Sequence, residues 1–170
     1  MTDSAEAKSY ISDDMREAIG TELATRTSYP ISASDIRKWA LAVYYPGSPP
    51  EKFVGAGGMD APLVAPEEFN PFAWASPGKT PKPNDVSAGF LEKQLGITPP
   101  PLETIVNGST VAEYGVPMVE GDVITATNRL SNYFEKQGKR GTLLFGETRD
   151  TWTNQRGEMV RTTTSTLIRY

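Results

Sequence analysis

The last 70 residues limit the architecture of this chain more than any other segment. Leu102–Tyr114, Asp122–Glu135, Gly141–Thr153 and Met159–Tyr170 all read as strands. Two of the connections between them are short and carry glycine, Lys136–Arg140 and Asn154-Gln155-Arg156-Gly157. Spacers of that kind predict hairpins. The four runs therefore predict an antiparallel meander of long strands. A long sheet with one polar face must bury the other. The meander thus predicts an α+β domain in which the sheet wraps a helix.

The first 100 residues supply the candidates for that helix. Residues 1–12 predict a flexible lead-in, and Asp13–Ile19 a single helical turn. Leu23–Ile31, with Thr25, Thr27, Tyr29 and Ile31, predicts a strand that ends near Pro30. Ser32-Ala33-Ser34-Asp35 fits a capping box. Ile36, Trp39, Ala40 and Val43 follow at helical spacing, and Pro46-Gly47 stops the helix.

Residues 46–88 are rich in Pro and Gly. Gly55-Ala56-Gly57-Gly58 is only weakly like a phosphate loop, because the Gly-Lys-Ser/Thr that should follow is missing. Val64-Ala65-Pro66-Glu67-Glu68-Phe69 reads as a helix start. Pro66 fits the first helical position, and Glu67 and Glu68 suit the positive end of the helix dipole. This segment is the expected central helix, although Pro71 would limit or kink it. Ser76–Asp85 predicts a loop, and Phe90–Leu95 a short helix closed by Gly96. The domain expected is one unit over 13–170, with a Pro-rich insertion at 76–101.

A length of 170 residues suits one domain with a proper core. With 17 basic and 21 acidic residues the net charge is −4. That balance argues against a generic nucleic-acid binder, which needs a basic surface. The one basic cluster, Lys136-Gln137-Gly138-Lys139-Arg140, fits a solvated hairpin tip. Its functional alternative is contact with the phosphates of a molecule such as coenzyme A. No apolar run approaches the ~18 residues that span a bilayer. The polar start, Met1-Thr2-Asp3-Ser4-Ala5-Glu6, does not resemble a signal peptide. A cytoplasmic protein without membrane or nucleic-acid partners is the expectation.

The chain has no histidine and no cysteine. Ser-His and Cys-His nucleophile pairs are therefore excluded, as are His/Cys zinc sites. Acid–base chemistry near neutral pH would need a carboxylate, Lys or Tyr with a strongly shifted pKa, or a group from another chain.

Several segments together resemble MaoC-like dehydratases, especially their fungal-fatty-acid-synthase-like branch. They are Ile31–Tyr45, Val64–Phe69, and Val106-Asn107-Gly108-Ser109-Thr110-Val111-Ala112-Glu113-Tyr114 with Pro117 and Gly121-Asp122. Tyr133–Gly138 and Thr153–Ile168 complete the set. The resemblance covers most of residues 20–170 and implies the hotdog fold. It implies hydration of enoyl thioesters or dehydration of 3-hydroxyacyl thioesters. Coenzyme A or an acyl-carrier thioester would be the substrate, with no further cofactor and no metal.

Catalytic members of that family carry an Asp and a His in a D-x-N-P-x-H pattern after the first helix. Here that loop reads Tyr45-Pro46-Gly47-Ser48-Pro49-Pro50-Glu51-Lys52-Phe53. Pro50 matches the motif proline, and neither Asp nor His is present. The resemblance therefore implies the non-catalytic half of an unequal pair, with no catalytic residue of its own and a hotdog partner subunit, although a homo-oligomer stays open. Substrate-binding candidates are Ala65, Pro66, Glu67 and Phe69 at the helix start, and Asn107, Gly108 and Tyr114 on the strand. For each, simple packing of helix against sheet is the competing reading. Backbone N–H groups at a helix start suit a thioester oxygen.

Two other functions fit the sequence. A carboxylate-dependent hotdog thioesterase would use Glu67, Glu68 or Glu113. A non-enzymatic binder of acyl thioesters or aromatic ligands would draw on Trp39, Trp74 and Trp152.

Overall fold

The computed structural model describes residues 9–55, 62–73, 87–139 and 141–170. The elements in chain order are α1 (Asp13–Glu17), β1 (Glu22–Thr27), α2 (Ala33–Tyr44), α3 (Glu51–Val54) and α4 (Phe90–Leu95). Then come β2 (Ile105–Tyr114), β3 (Thr125–Gly138), β4 (Gly141–Thr153) and β5 (Met159–Arg169). The strands form one sheet in the order β1-β3-β4-β5-β2, antiparallel throughout.

Local chemistry sets the helix boundaries. The Ser32 side chain accepts the Asp35 N–H at 3.1 Å and so caps α2. Ser12 caps α1 through the Met15 N–H. Gly96 ends α4 in the left-handed conformation, with φ 73°. On α2, Ile36 and Ala40 are fully buried, and Trp39 packs partly buried beside them. Val43, the last residue of the expected stripe, is exposed.

Two core clusters fill the sheet face. The larger joins Ile36 of α2 to Leu63, Ala65 and Phe69, to Met118, and to Ile124, Ala126, Trp152 and Val160. The other gathers Met15, Leu130, Tyr133 and Leu144, with Leu95, Ile97 and Leu102 against them. A buried ion pair crosses this second region. Arg169 donates to both oxygens of Glu92 at 2.7 Å and to the Ala88 carbonyl, and the Tyr133 hydroxyl donates to Glu92 Oε1 at 2.7 Å.

The structure differs from the sequence expectation in three places. First, only β3-β4-β5 is a meander. β2 does not pair with β3; it lies at the far edge against β5. The chain between them turns at Gly121 (φ 86°), and buried Asp122 accepts the Val119 N–H there. Second, Pro66–Phe69 is a single turn, closed by the Phe69 N–H to the Pro66 carbonyl at 2.9 Å. Asn70 takes over the next stretch, its side chain accepting the Phe72 N–H. Among the described residues, the helices on the sheet are therefore α1, α2 and α4 rather than one long helix from Pro66. Third, β1 stops at Thr27, before Pro30: the Ser28 N–H still donates to the Ile124 carbonyl, but the Ser28 hydroxyl accepts the Ile124 N–H at 2.9 Å.

Residues 1–8, Ala56–Gly58, Trp74 and the Ser76–Asp85 loop lie outside the described residues, as does Arg140 of the basic cluster.

Candidate functional site

The segment at 63–65 is held to the turn before β3 by backbone bonds. The Ala65 N–H donates to Met118, and the Glu120 N–H donates to Leu63. This short pairing fixes Val64–Glu68 beside the end of β2. The C-terminal part of α2 lies opposite, with α3 next to it. Between them is a cavity of about 450 Å³.

Its walls come from four places. Trp39, Val43 and Tyr44 descend from α2, and Lys52 and Phe53 from α3. Val64, Ala65, Pro66, Glu67 and Glu68 form one side. Tyr114–Met118, Val160 and Arg161 form the other. The lining is aromatic and aliphatic, with a few convergent polar groups, as is usual for small-molecule sites. Phe69 lies behind the wall, 1% exposed, with its ring edge-on to Trp39 at 5.6 Å.

Arg161 is the one half-buried cation in the described wall, its side chain 15% exposed. Its guanidinium lies over the Trp152 ring at 5.2 Å and the Tyr114 ring at 5.5 Å. Its Nε donates to Thr163 Oγ1 at 3.1 Å. Glu68 comes within 3.6 Å of Nη1, and the Tyr114 hydroxyl donates to the other Glu68 oxygen. That bond, followed by loss of water, raises the Tyr114 pKa above the usual tyrosine value. The hydroxyl therefore remains a donor at neutral pH.

The cavity brings together four of the seven binding candidates: Ala65, Pro66, Glu67 and Tyr114. Phe69 supports it from the core. Asn107 and Gly108 stand towards the other end of β2, roughly 20 Å from Tyr114 by strand rise. Their neighbours there are the β5 residues Leu167 and Ile168, and Ile168 covers Gly108 closely. Glu113 points away to pair with Arg149 at 3.5 Å.

Of the tryptophans, Trp39 lines the cavity and Trp152 underlies Arg161. Sequence reasoning did not single out Arg161 or Lys52. A lone Arg in a Thr-rich strand becomes informative only when its facing neighbours Trp152 and Tyr114 are known. Among the described residues, no group of three or more His, Cys, Asp or Glu is placed to hold a metal.

Residues 17–163 match the family model for the FAS1-like dehydratase domain region. The chain belongs to this family. Solved structures agree on the fold. The ChsH1-ChsH2 complex from Mycobacterium tuberculosis aligns at TM-score 0.56 and 17% identity, over 86% of this chain and 83% of that one. A protein described as a MaoC-like dehydratase aligns at TM-score 0.56 and 19% identity, over 89% of this chain and 42% of that one. The unliganded R-hydratase PhaJ1 from Pseudomonas aeruginosa aligns at TM-score 0.51 and 12% identity, over 88% of this chain and 79% of that one. No curated protein sequence matches. The fold is thus the MaoC-like hotdog, here as one open five-stranded sheet. The FAS1-like dehydratase family supports a function of hydratase or dehydratase type.

Proposed function

We propose that this chain is the non-catalytic, substrate-binding half of an enoyl-thioester hydratase or 3-hydroxyacyl-thioester dehydratase. One observation carries the reading. The loop from Tyr45 to Phe53, between α2 and the cavity, holds no Asp and no His, and the whole chain has no His. Adding water across an enoyl thioester, or removing it, needs a base for the water or α-proton and an acid for the opposite step. The cavity offers donors and apolar walls, and the carboxylates in its described lining are Glu67 and Glu68, both exposed.

Within this reading the acyl thioester enters the cavity. Coenzyme A or an acyl carrier would bear it, and no cofactor is needed. The amides of Glu67 and Glu68 are the donors nearest the turn for the thioester oxygen, because Pro66 has none. Ala65, Pro66 and Tyr114 flank that position, with Phe69 behind. Asn107 and Gly108 belong to a different surface, the outer run of β2.

β2 also supports a partner. It is hydrogen-bonded to β5 along one edge only, and nearly all of its residues are exposed, among them Val106, Val111 and Tyr114. A long open strand is a template for pairing with another chain. The partner expected is a hotdog subunit bearing the Asp and His. The similar mycobacterial structure is itself a complex of two proteins.

The thioesterase alternative has less support. Glu67 and Glu68 lie at the exposed rim, and Glu68 is already engaged by Tyr114 and Arg161. The test is co-expression with a hotdog partner that carries the Asp and His, followed by assay on crotonyl-CoA and longer enoyl-CoA. Hydration is expected only from the co-purified pair. Hydration by this chain alone overturns the proposal, and acyl-CoA hydrolysis lost on Glu67→Gln would support the thioesterase.

A further inference from the structure

The cavity wall already contains a bound carboxylate, and it belongs to the chain itself. Glu68 accepts from the Tyr114 hydroxyl through one oxygen and faces Arg161 Nη1 at 3.6 Å through the other. Two donors from neighbouring strands, β2 and β5, thus converge on one carboxylate. The two ends of this arrangement are unequal. Arg161 is 15% exposed and fixed between two aromatic rings, with Nε tied to Thr163. Glu68 is 66% exposed and sits on a single turn.

A guanidinium has five N–H donors. Among the described residues, Arg161 uses one of them in a hydrogen bond, and its ion pair is longer than a hydrogen bond. A half-buried charge that is so incompletely paired gains from a better-placed acceptor. Glu68, by contrast, loses little by turning to water, since exposed ion pairs contribute little.

We propose that the cavity takes an apolar acid, whose carboxylate displaces Glu68 from Arg161 and Tyr114. The hydrocarbon body lies against Trp39, Phe53, Val64 and Met118. The planar fork of Arg161 meets both carboxylate oxygens, and Tyr114 transfers its hydrogen bond from Glu68 to the ligand. Two sources carry that chemistry: a free apolar acid, or an acyl thioester with a carboxylate at the far end of its chain. The second source narrows the substrate class of the proposed function and rests on it. The first is independent of any partner subunit.

The test is isothermal titration calorimetry on the full chain with octanoate and octanamide, which differ only in the charged end. Octanoate is expected to bind more tightly than octanamide. Arg161→Gln should weaken octanoate about tenfold and leave octanamide within twofold. Glu68→Gln, at an exposed position that does not threaten folding, should tighten octanoate about threefold, because it removes the competing charge. A second arm compares octanoyl-CoA with octanedioyl-CoA. Tighter binding of the dioic thioester identifies the acyl chain as the source, and equal binding identifies a free acid.

Equal affinity for octanoate and octanamide overturns the proposal, as does absence of octanoate binding by the folded wild-type chain. Unchanged octanoate affinity in Glu68→Gln also overturns it. Failure of hydration in the reconstituted pair would overturn the proposed function while leaving these affinities as they are.

Discussion

β5 carries two arginines that each face a glutamate, and the two pairs differ in almost every physical respect. Arg169 and Glu92 are 2% and 0% exposed and meet through two bonds of 2.7 Å. Tyr133 and the Ala88 carbonyl complete the network. Arg161 and Glu68 meet at 3.6 Å, and the glutamate is mostly in water. The first pair is closed: each charge has its partner and nothing else can reach it. It ties α4 to the sheet. The second is open at one end and borders a cavity. The contrast separates a structural ion pair from an exchangeable one, although both have the same residue types on the same strand.

The largest effect that would break this contrast lies in the closed pair. Removing one partner from a buried ion pair leaves an uncompensated charge, at a cost of about 3–5 kcal/mol. Glu92→Ala is therefore expected to lose that much in urea or thermal unfolding. A loss below about 1 kcal/mol would mean that the two pairs are energetically alike.

Acid titration sharpens the same point. Burial raises the Glu92 pKa, but the bonds from Arg169 and then Tyr133 outweigh it, and the net effect lowers the carboxyl below 4.5. A carboxyl depressed in the folded state stabilises fully above its unfolded value and loses that contribution as pH falls through the folded one. The stability gap between wild type and Glu92→Gln should therefore be largest near neutral pH and shrink below pH about 4.5. A gap independent of pH would contradict the lowered pKa.

The wall beside the open pair gives an intermediate effect. A Cβ at Gly115 would stand 2.1 Å from the Met159 carbonyl and 2.8 Å from its sulfur. Gly115→Ala must push β5 away from the end of β2. It is expected to cost about 1–3 kcal/mol and to weaken ligand binding in the cavity. Unchanged melting and binding would show that this end of the sheet yields freely. The smallest effect belongs to Glu68→Gln, whose stability change should stay below about 1 kcal/mol. A larger loss would make the Arg161 pair structural after all.

Much of this molecule was legible in the sequence because its signals are local. The Ser32 cap, the Gly96 stop, the two hairpins and the α2 stripe each depend on neighbours within a few positions. Strand pairing is not local. Nothing within Ile105–Tyr114 says that it joins β5 instead of β3, so the local pattern predicts a meander one strand too long. Pro66 with two glutamates has the composition of a helix start, yet Asn70 and Pro71 follow too soon, and only a turn forms.

The site divides the same way. Ala65, Pro66, Glu67 and Tyr114 come from segments whose resemblance to the family was visible, and they meet at the cavity. Asn107 lies on the same strand as Tyr114, but several residues of strand rise carry it away from the site. Arg161 and Glu92 acquire meaning only from residues far along the chain, and no local pattern marks either of them.

The central claim is that the chemistry resides in another subunit and that this chain supplies the cavity. Its most direct test is hydration of an enoyl-CoA by the reconstituted pair, with the partner's Asp and His replaced by Asn and Gln. The account predicts that this complex forms and binds substrate but shows no turnover. Residual hydration that disappears on Glu67→Gln or Glu68→Gln in this chain would contradict it.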